Sequence, residues 1–254
     1  MKKGFTLAEV LITLGVIGVV AAMTLPAVIS NYQKETAVTR LKQTYTQIST
    51  AVEKIANENG VVGFDAWQCD DDGNSIYWQD RCFHEAMKLI AVKLYPQPAT
   101  IEQAACYDGT PYKAYTWRNG TLPNANQITS QASWSAALPN GACVIWHPYA
   151  WAGDLRGAII IDVDGSYHGA NSLGKDLFEF IYLTPDRGYG YGSSGRMIIP
   201  HGAYELDRST NPGTLISTRT RNQLKANCKK NGTGKDCAAL IIQDGWKIKD
   251  DYPW

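Results

Sequence analysis

The sequence predicts an α+β fold in which a long N-terminal helix packs on the antiparallel β-sheet of a globular head. An apolar run extends from Val10 to Ile29, near the start of the chain. Apolar residues at helical spacing continue beyond this run to about Asn57. Farther on, strand candidates follow one another through turns, without helices between them, which favours an antiparallel sheet. With 254 residues, the chain is long enough for one sizeable domain beside the helix.

The apolar run is long enough to cross a lipid bilayer. It contains 20 residues, of which only Thr13 and Thr24 are polar, and an α-helix of that length extends roughly 30 Å. Two lysines precede the run, and the next lysine is Lys34. Because positive charge is retained on the cytoplasmic side of a membrane, we expect the short N-terminus inside the cell and the head outside.

A cleaved secretory signal peptide is an alternative interpretation of this stretch. Such peptides have a basic start, a shorter apolar segment and small residues at the cleavage site, and Ala21-Ala22-Met23 imitates such a site. The run continues to Ile29, however, and the carboxylate of Glu9 lies at its cytoplasmic edge. An acid in a membrane helix is costly, so Glu9 is expected to have a function and a partner. We favour a retained helix, and a plain signal anchor is the second alternative.

The residues around this acid are Gly4-Phe5-Thr6-Leu7-Ala8-Glu9. This segment resembles the processing motif of type IV prepilins and type II secretion pseudopilins. The resemblance implies that a prepilin peptidase cuts after Gly4, that the new N-terminal Phe5 is N-methylated, and that Glu9 is the acidic fifth residue of the mature chain. It covers about the first 30 residues, which also contain glycines and a proline like those of pilin helices, at Gly15, Gly18 and Pro26.

Physical chemistry suggests a role for each of these features. Cleavage would leave a cationic amine on Phe5. Because an unpaired charge in apolar surroundings is strongly penalised, we expect Glu9 of one subunit to pair with this amine on a neighbour, which sets their register. Pro26 lacks an amide hydrogen and is expected to break or kink the helix near Thr24. The two glycines weaken the helix and permit close helix contact, although ordinary membrane-helix packing explains them equally well.

The second half of the N-terminal helix is predicted to be amphipathic. Its apolar residues recur at spacings of three and four, at Val38, Leu41, Tyr45, Ile48, Val52 and Ile55. We expect this stripe to pack on the protein's own sheet and Asn59-Gly60 to end the helix. The predicted segments are a leader at residues 1–4, a transmembrane or filament-core helix at 5–29, the amphipathic helix at 30–58 and an extracytoplasmic head at 59–254.

The head is predicted to contain one further helix and several strands. The helix candidate extends from Asp80 to Leu94 and is ended by Pro96. Strands are predicted from β-branched content at Cys143–Trp146, Ala158–Val163, Leu177–Leu183 and Met197–Ile199. Asp164-Gly165 is a turn pair of the hairpin type.

Six cysteines lie in the predicted head, at Cys69, Cys82, Cys106, Cys143, Cys228 and Cys237. Since the head is expected outside the cytoplasm, where disulfides persist, we expect these residues to form disulfides. Sequence alone permits many pairings. Short loops close most easily, which favours Cys69–Cys82 and Cys228–Cys237 and leaves Cys106–Cys143. A zinc site is the competing interpretation, but no CxxC spacing is present.

Oxygen-bearing side chains are concentrated in one short part of the head, at Asp162, Asp164, Asn171 and Asp176. Calcium binds such ligands, and some pseudopilins carry a calcium site in a C-terminal acidic loop. The residues here do not follow that loop closely, and the EF-hand pattern is absent. We therefore favour solvated turns and expect no cofactor, with calcium as the alternative. The acidic run at residues 70–72 is interpreted in the same way.

Composition argues against two classes of function. Lysine and arginine number 24, as do aspartate and glutamate, so bulk charge gives no support for nucleic-acid binding. The four histidines are scattered, and the sequence contains no GxSxG elbow, HExxH helix or phosphate-binding loop. We therefore expect neither a nucleic-acid-binding protein nor an enzyme, and a secreted enzyme is the least favoured alternative.

Aromatic residues provide a second hypothesis for function. Trp146, Tyr149 and Trp151 cluster around Pro148, and such side chains stack on sugars or anchor protein interfaces. Packing in the core or between subunits is the favoured explanation. The alternative is a membrane-anchored binding protein or adhesin that uses an aromatic-rich head.

The resemblance implies a structural subunit of a type IV pilus-like filament, either a pilin or a pseudopilin. Its expected partners are other copies or related pilin subunits, a prepilin peptidase, a filament assembly platform and, before assembly, the bacterial inner membrane. The precursor is expected to cross that membrane once with its head outside, and then to enter an extracellular pilus or a periplasmic pseudopilus. Major pilin, minor pilin and pseudopilin stay open alternatives.

Overall fold

A computed structural model describes residues 6–58, 84–95, 106, 115–116, 134–151, 154–165, 171–183, 198–206 and 215–254. The helices are α1 (Leu7–Glu58), α2 (Arg221–Asn227) and α3 (Cys237–Gln243). The strands are β1 (Lys93–Tyr95), β2 (Tyr115–Thr116), β3 (Trp134–Ala137), β4 (Cys143–Trp151), β5 (Asp154–Asp162), β6 (Asn171–Ser172), β7 (Leu177–Leu183), β8 (Ile198–Pro200), β9 (Tyr204–Leu206) and β10 (Leu215–Thr218). The predicted α+β fold, a long N-terminal helix with an antiparallel sheet, is confirmed.

The chain divides into two compact units, residues 1–36 and residues 37–254. The described part of the first unit is the N-terminal part of α1, whose apolar side chains are exposed. The second unit, called the head from here on, contains the rest of α1, all the described strands, α2 and α3.

Six strands of the head form one antiparallel sheet in the order β1-β3-β4-β5-β7-β8. Its centre is the hairpin of β4 and β5, in which nine residue pairs are in register from Cys143 opposite Asp162 to Trp151 opposite Asp154. The strand predicted at Leu177–Leu183 is β7, with the same bounds. The other three predicted strands are present with shifted or extended ends. Pro200 lies in β8, at an edge of the sheet, where a strand proline is tolerated.

The core of the head lies between one face of this sheet and the apolar stripe of α1. Alternate residues of the three central strands contribute to it, as expected when side chains point to opposite faces in turn. They are Val144 and Trp146 of β4, Ile159 and Ile161 of β5, and Phe178 and Phe180 of β7. From α1, Leu41 and Ile48 are almost fully buried, which confirms that the stripe packs on the protein's own sheet.

Contacts of Tyr45 and Arg40 fix α1 against the sheet. The ring of Tyr45 stacks on that of Phe180, with centroids 5.1 Å apart, and its hydroxyl donates to the carbonyl of Ile198 at 3.1 Å. Arg40 Nη1 donates to the carbonyl of Val163, also at 3.1 Å. These contacts join the helix to both β8 and the end of β5.

The C-terminal helices complete the core. Thr220 caps α2 through a capping box with Gln223. Leu224 of α2 and Leu240 of α3 are buried in the same apolar cluster as the sheet. The Cys228–Cys237 disulfide joins the two helices.

The helix predicted from Asp80 to Leu94 is wrong over its second half. Residues 84–88 are helical, but Lys93–Tyr95 forms strand β1, and residues 80–83 lie outside the described part. Strand β1 pairs with β3, with Leu94 opposite Ala136. The apolar spacing therefore reflects a helix turn followed by a strand, because pairing with the sheet overrides the local helical pattern.

Candidate functional site

The start of α1 is fixed by a reciprocal pair of hydrogen bonds between Thr6 and Glu9. The backbone N–H and the hydroxyl of Thr6 each donate to Glu9 Oε2 at 2.8 Å, and the backbone N–H of Glu9 lies 3.3 Å from Thr6 Oγ1. This is a capping box, which satisfies donors that a helix N-terminus would otherwise leave unpaired. Within a single chain, Glu9 is therefore a helix-capping acid.

Sequence reasoning singled out Glu9 but missed Thr6. The signal was present, because Thr6-Leu7-Ala8-Glu9 has the spacing of a capping box before an apolar run. Gly4 and Phe5, the predicted cleavage and methylation residues, lie outside the described part of the chain. Cleavage, methylation and the pairing of Glu9 with a neighbour's amine therefore stay predictions.

After the capping box, α1 presents apolar side chains all around its surface. The exposed large ones are Leu7, Val10, Leu11, Ile12, Leu14, Val16, Ile17, Val19, Val20, Met23, Leu25, Val28 and Ile29. Among the described residues, α1 is the helix that is long and apolar enough to cross a membrane. A contiguous apolar surface of this size on a soluble monomer would be unusual, so these residues require a lipid or protein environment.

The helix is continuous through Gly15, Gly18 and Pro26, so Pro26 does not end it, and a kink at Pro26 stays a prediction. One proline removes a single helix hydrogen bond, and a long helix with intact turns on both sides tolerates that loss. A Cβ added at either glycine would have no described atom within 4 Å apart from neighbouring backbone. Both glycines therefore lie on open surface, where another helix has room to approach closely.

The prediction of solvated turns is wrong for Asp162, Asn171 and Asp176, which are buried. Asp162 and Asp176 instead accept hydrogen bonds from the backbone. Asp162 Oδ1 accepts from the N–H groups of Asp164 at 3.2 Å and Gly165 at 3.0 Å. Asp176 Oδ1 accepts from the N–H of Ser172 at 2.5 Å. Asn171 is buried in β6. In the described ranges, no three His, Cys, Asp or Glu side chains form a group able to hold a metal ion, and calcium binding stays an untested alternative.

Asp176 has a perturbed ionisation. Its side chain is largely buried, and this desolvation raises the pKa to about 6, with a further contribution from the charge of Asp164. The hydrogen bond from Ser172 opposes the shift only in part. The ionised form of Asp176 therefore carries a free-energy cost in the folded head.

Disulfides are present in the head, as predicted. The structure joins Cys106 to Cys143, the pair left over by the short-loop argument, and Cys228 to Cys237, which short spacing favoured. The first connects the segment at residue 106 to the start of β4, and the second connects α2 to α3. The third favoured pair, Cys69–Cys82, lies outside the described residues.

A buried carboxylate that sequence reasoning missed lies just before α3. The side chain of Asp236 lies 2.8 Å from His201 Nδ1, 3.1 Å from Arg219 Nη1 and 2.7 Å from Asn227 Nδ2. Burial raises the pKa of Asp236, but the hydrogen bond and charge of His201, with help from Asn227 and Arg219, hold that pKa below its ordinary value. Gly202 (φ 78°) passes so close that a Cβ there would lie 2.2 Å from Asp236 Oδ1. The residues of this cluster are distant in sequence, so no local sequence pattern predicts it.

Of the three aromatic residues around Pro148, for which core or interface packing is the favoured prediction, the structure describes the side chain of Trp146 alone. Trp146 is fully buried in the core, which confirms core packing for that residue. Tyr149 and Trp151 lie in β4, but the structure does not describe their side chains. Among the histidines, burial and the charge of Lys88 lower the pKa of His84, and His201 contacts Asp236.

Comparison with known proteins finds a family motif at the N-terminus, where the capping box and the apolar helix lie. Residues 1–25 match the family model described as the prokaryotic N-terminal methylation motif. Prepilin peptidase-dependent protein D of Escherichia coli (strain K12) is 39% identical over 75 residues, which is 30% of this chain and 48% of that protein. The chain thus spans about half the length of this curated relative. No solved structure matches the chain.

The match and the exposed apolar helix fit a membrane-anchored precursor, and they support a role of the pilin or pseudopilin type. The predicted resemblance is confirmed: the N-terminal segment of this chain is similar to those of type IV pilins and pseudopilins.

Proposed function

We propose that the chain is a structural subunit of a type IV pilus-like filament, processed by a prepilin peptidase after Gly4 and assembled through its N-terminal helix. The observation that carries the proposal is the methylation motif at residues 1–25, which includes the start of the exposed apolar part of α1. The predicted segments at residues 1–4, 5–29, 30–58 and 59–254 belong to the same proposal.

The apolar surface of α1 supports assembly. Before assembly, a bilayer can cover the exposed side chains from Leu7 to Ile29, because a helix satisfies its own backbone hydrogen bonds there. In a filament, the same surfaces of neighbouring copies would cover one another. Other copies or related subunits, an assembly platform and the inner membrane are therefore the proposed partners, and the finished filament is an extracellular pilus or a periplasmic pseudopilus.

Glu9 is the proposed assembly residue. Its carboxylate is held by the N–H and hydroxyl of Thr6 in the single chain. In a filament core of low dielectric, a neighbour's methylated Phe5 amine would add an opposite charge to this acceptor. A role of this kind uses an ion pair to select the register of subunits and requires no catalysis, cofactor or nucleic acid.

Mass spectrometry of membrane and filament fractions tests the processing step. The proposal predicts a mature chain that begins at Phe5 and carries one N-methyl group. Replacing Gly4 with leucine should leave uncut precursor in the membrane. Gly18→Ala is the matched control, because a Cβ there meets open space, and this variant should be cleaved normally. A mature chain that begins after Ala22 would identify a signal peptide and overturn the proposal.

A further inference from the structure

A groove in the head lies along α1, next to the end of α3. It has a volume of about 340 Å³, within the range of small-ligand sites. Its apolar floor includes Val52 and Ile198, which are buried, and Ile242, which is half-buried. We call this feature the α1–α3 groove. Its described lining residues all belong to the head.

One wall of the α1–α3 groove is polar. Lys42, Thr46, Thr50 and Glu53 line it and are exposed. At helical spacing these residues share one face of α1, and the distance from Lys42 to Glu53 along the helix is about 16 Å. The wall therefore offers hydroxyl groups between one cation and one anion, with no net charge. The Thr46 hydroxyl donates to the carbonyl of Lys42 at 2.8 Å and is left as an acceptor. Below the wall, Ser49 Oγ is buried and has no hydrogen-bond partner in the described part of the chain.

Trp246 forms the opposite wall. Its ring is half-buried, with its centroid 5.7 Å from that of Tyr45, and Lys42 Nζ lies 5.9 Å from the ring. Trp246 has φ 60°, a left-handed conformation that bulky residues seldom adopt. The backbone holds it there, since Trp246 N–H donates to the carbonyl of Ile241 at 2.9 Å. The indole is thus an aromatic surface in a fixed position.

We propose that the α1–α3 groove binds a neutral oligosaccharide. The apolar face of a sugar ring packs on an indole, while its hydroxyl groups need both donors and acceptors, which the lysine, glutamate and threonine side chains supply. Because Lys42 and Glu53 leave the wall with no net charge, it favours a neutral ligand over a charged one, and a purely apolar ligand would desolvate the polar groups of the wall. The site is separate from the aromatic residues around Pro148.

Saturation-transfer NMR on the full-length chain in detergent tests this proposal, with triacetylchitotriose, cellotriose and maltotriose as probes. Because the chain is not assembled in this experiment, the result does not depend on whether it forms filaments. We expect saturable binding of at least one trisaccharide, and Trp246→Gly should weaken that binding at least about tenfold. Glycine adopts positive φ without strain, so this variant removes the ring and leaves the backbone conformation accessible.

Two controls make the outcome decisive. Trp254→Ala removes another partly buried tryptophan of the C-terminal segment that does not line the groove, and it should bind as wild type does. Glu53→Gln should weaken binding less than Trp246→Gly does. The absence of saturable binding for all three sugars, or equal losses in both tryptophan variants, would overturn the proposal. Self-association of the wild type that Trp246→Gly abolishes would instead assign the groove to a second copy.

Discussion

Leu11 and Leu41 belong to the same helix but lie in opposite environments. Leu11, in the N-terminal unit, is 61% exposed, whereas Leu41, in the head, is fully buried. In the N-terminal unit, a capping box begins the helix, and the apolar side chains that follow are exposed in the single chain. The head has a continuous core, two described disulfides and a buried polar cluster. One helix thus contains a segment that needs external partners and a segment that stabilises its own domain.

This difference predicts that substitutions will separate into two classes. Changes in the head should alter its free energy of unfolding without changing N-terminal processing. Changes in the N-terminal unit should alter processing or assembly without unfolding the head.

The largest effect is expected from a matched pair of leucine substitutions. Leu41→Ala should lower the free energy of unfolding of the head by about 2–5 kcal/mol, because it removes buried contacts and leaves a cavity. Leu11→Ala should leave that free energy unchanged. Denaturant unfolding of the full chain in detergent, followed by near-ultraviolet circular dichroism, measures both. Equal effects of the two substitutions would contradict the division of α1.

Removing the Cys228–Cys237 disulfide should have the next largest effect. The bond closes a short loop, with a sequence separation of 9, so replacing both cysteines with alanine should cost about 2–3 kcal/mol. Unfolding midpoints with and without reductant provide the measurement. Any further fall of the midpoint when the double variant is reduced reports the remaining disulfides. If the unreduced double variant unfolded at the same midpoint as the unreduced wild type, this bond would not stabilise the head.

A smaller, pH-dependent effect is expected at Asp176. Because its folded-state pKa is raised to about 6, the folded head binds a proton that the unfolded chain releases, and stability should increase as the pH falls from 7 towards 4. Asp176→Asn keeps an oxygen that accepts from Ser172 and removes the charge. It should therefore stabilise the head at pH 7 by roughly 1–3 kcal/mol.

The control for this prediction is Asp250→Asn, which changes an exposed acid. It should leave the dependence of stability on pH unchanged, and Asp176→Asn should flatten that dependence between pH 4 and 7. If stability depended on pH in Asp176→Asn as steeply as in the wild type, or more steeply, ionisation of Asp176 would carry no free-energy cost in the folded head.

The two regions also differ in how well sequence predicts them. The N-terminal helix is specified by neighbours in sequence, and its amphipathic stripe was predicted residue by residue. Strands β4, β5 and β7 were found because β-branched and aromatic residues mark them. Strand β3 was missed because Trp134–Ala137 contains mostly small residues, and β1 was mistaken for helix. Both depend on pairing within the sheet, which local pattern does not reveal.

The same distinction applies to the sites. Glu9 stood out because an acid beside an apolar run is costly, and its partner Thr6 could have been found from spacing alone. The contacts of Asp236 could not be predicted from spacing, since His201 is 35 residues away in sequence. The α1–α3 groove likewise forms only when α1 and α3 pack near each other, and neither helix contains a sequence motif that predicts the groove.

The most direct test of the account is the yield of filaments sheared from cells that express Glu9→Ala or Thr6→Val in a background lacking the native gene. Both substitutions break the capping box, but only Glu9→Ala removes the acid proposed to pair with a neighbour. We predict normal cleavage and a folded head in both variants, near-complete loss of filaments in Glu9→Ala and a far smaller loss in Thr6→Val. Wild-type filament yield in Glu9→Ala, or equal losses in the two variants, would contradict assembly through Glu9.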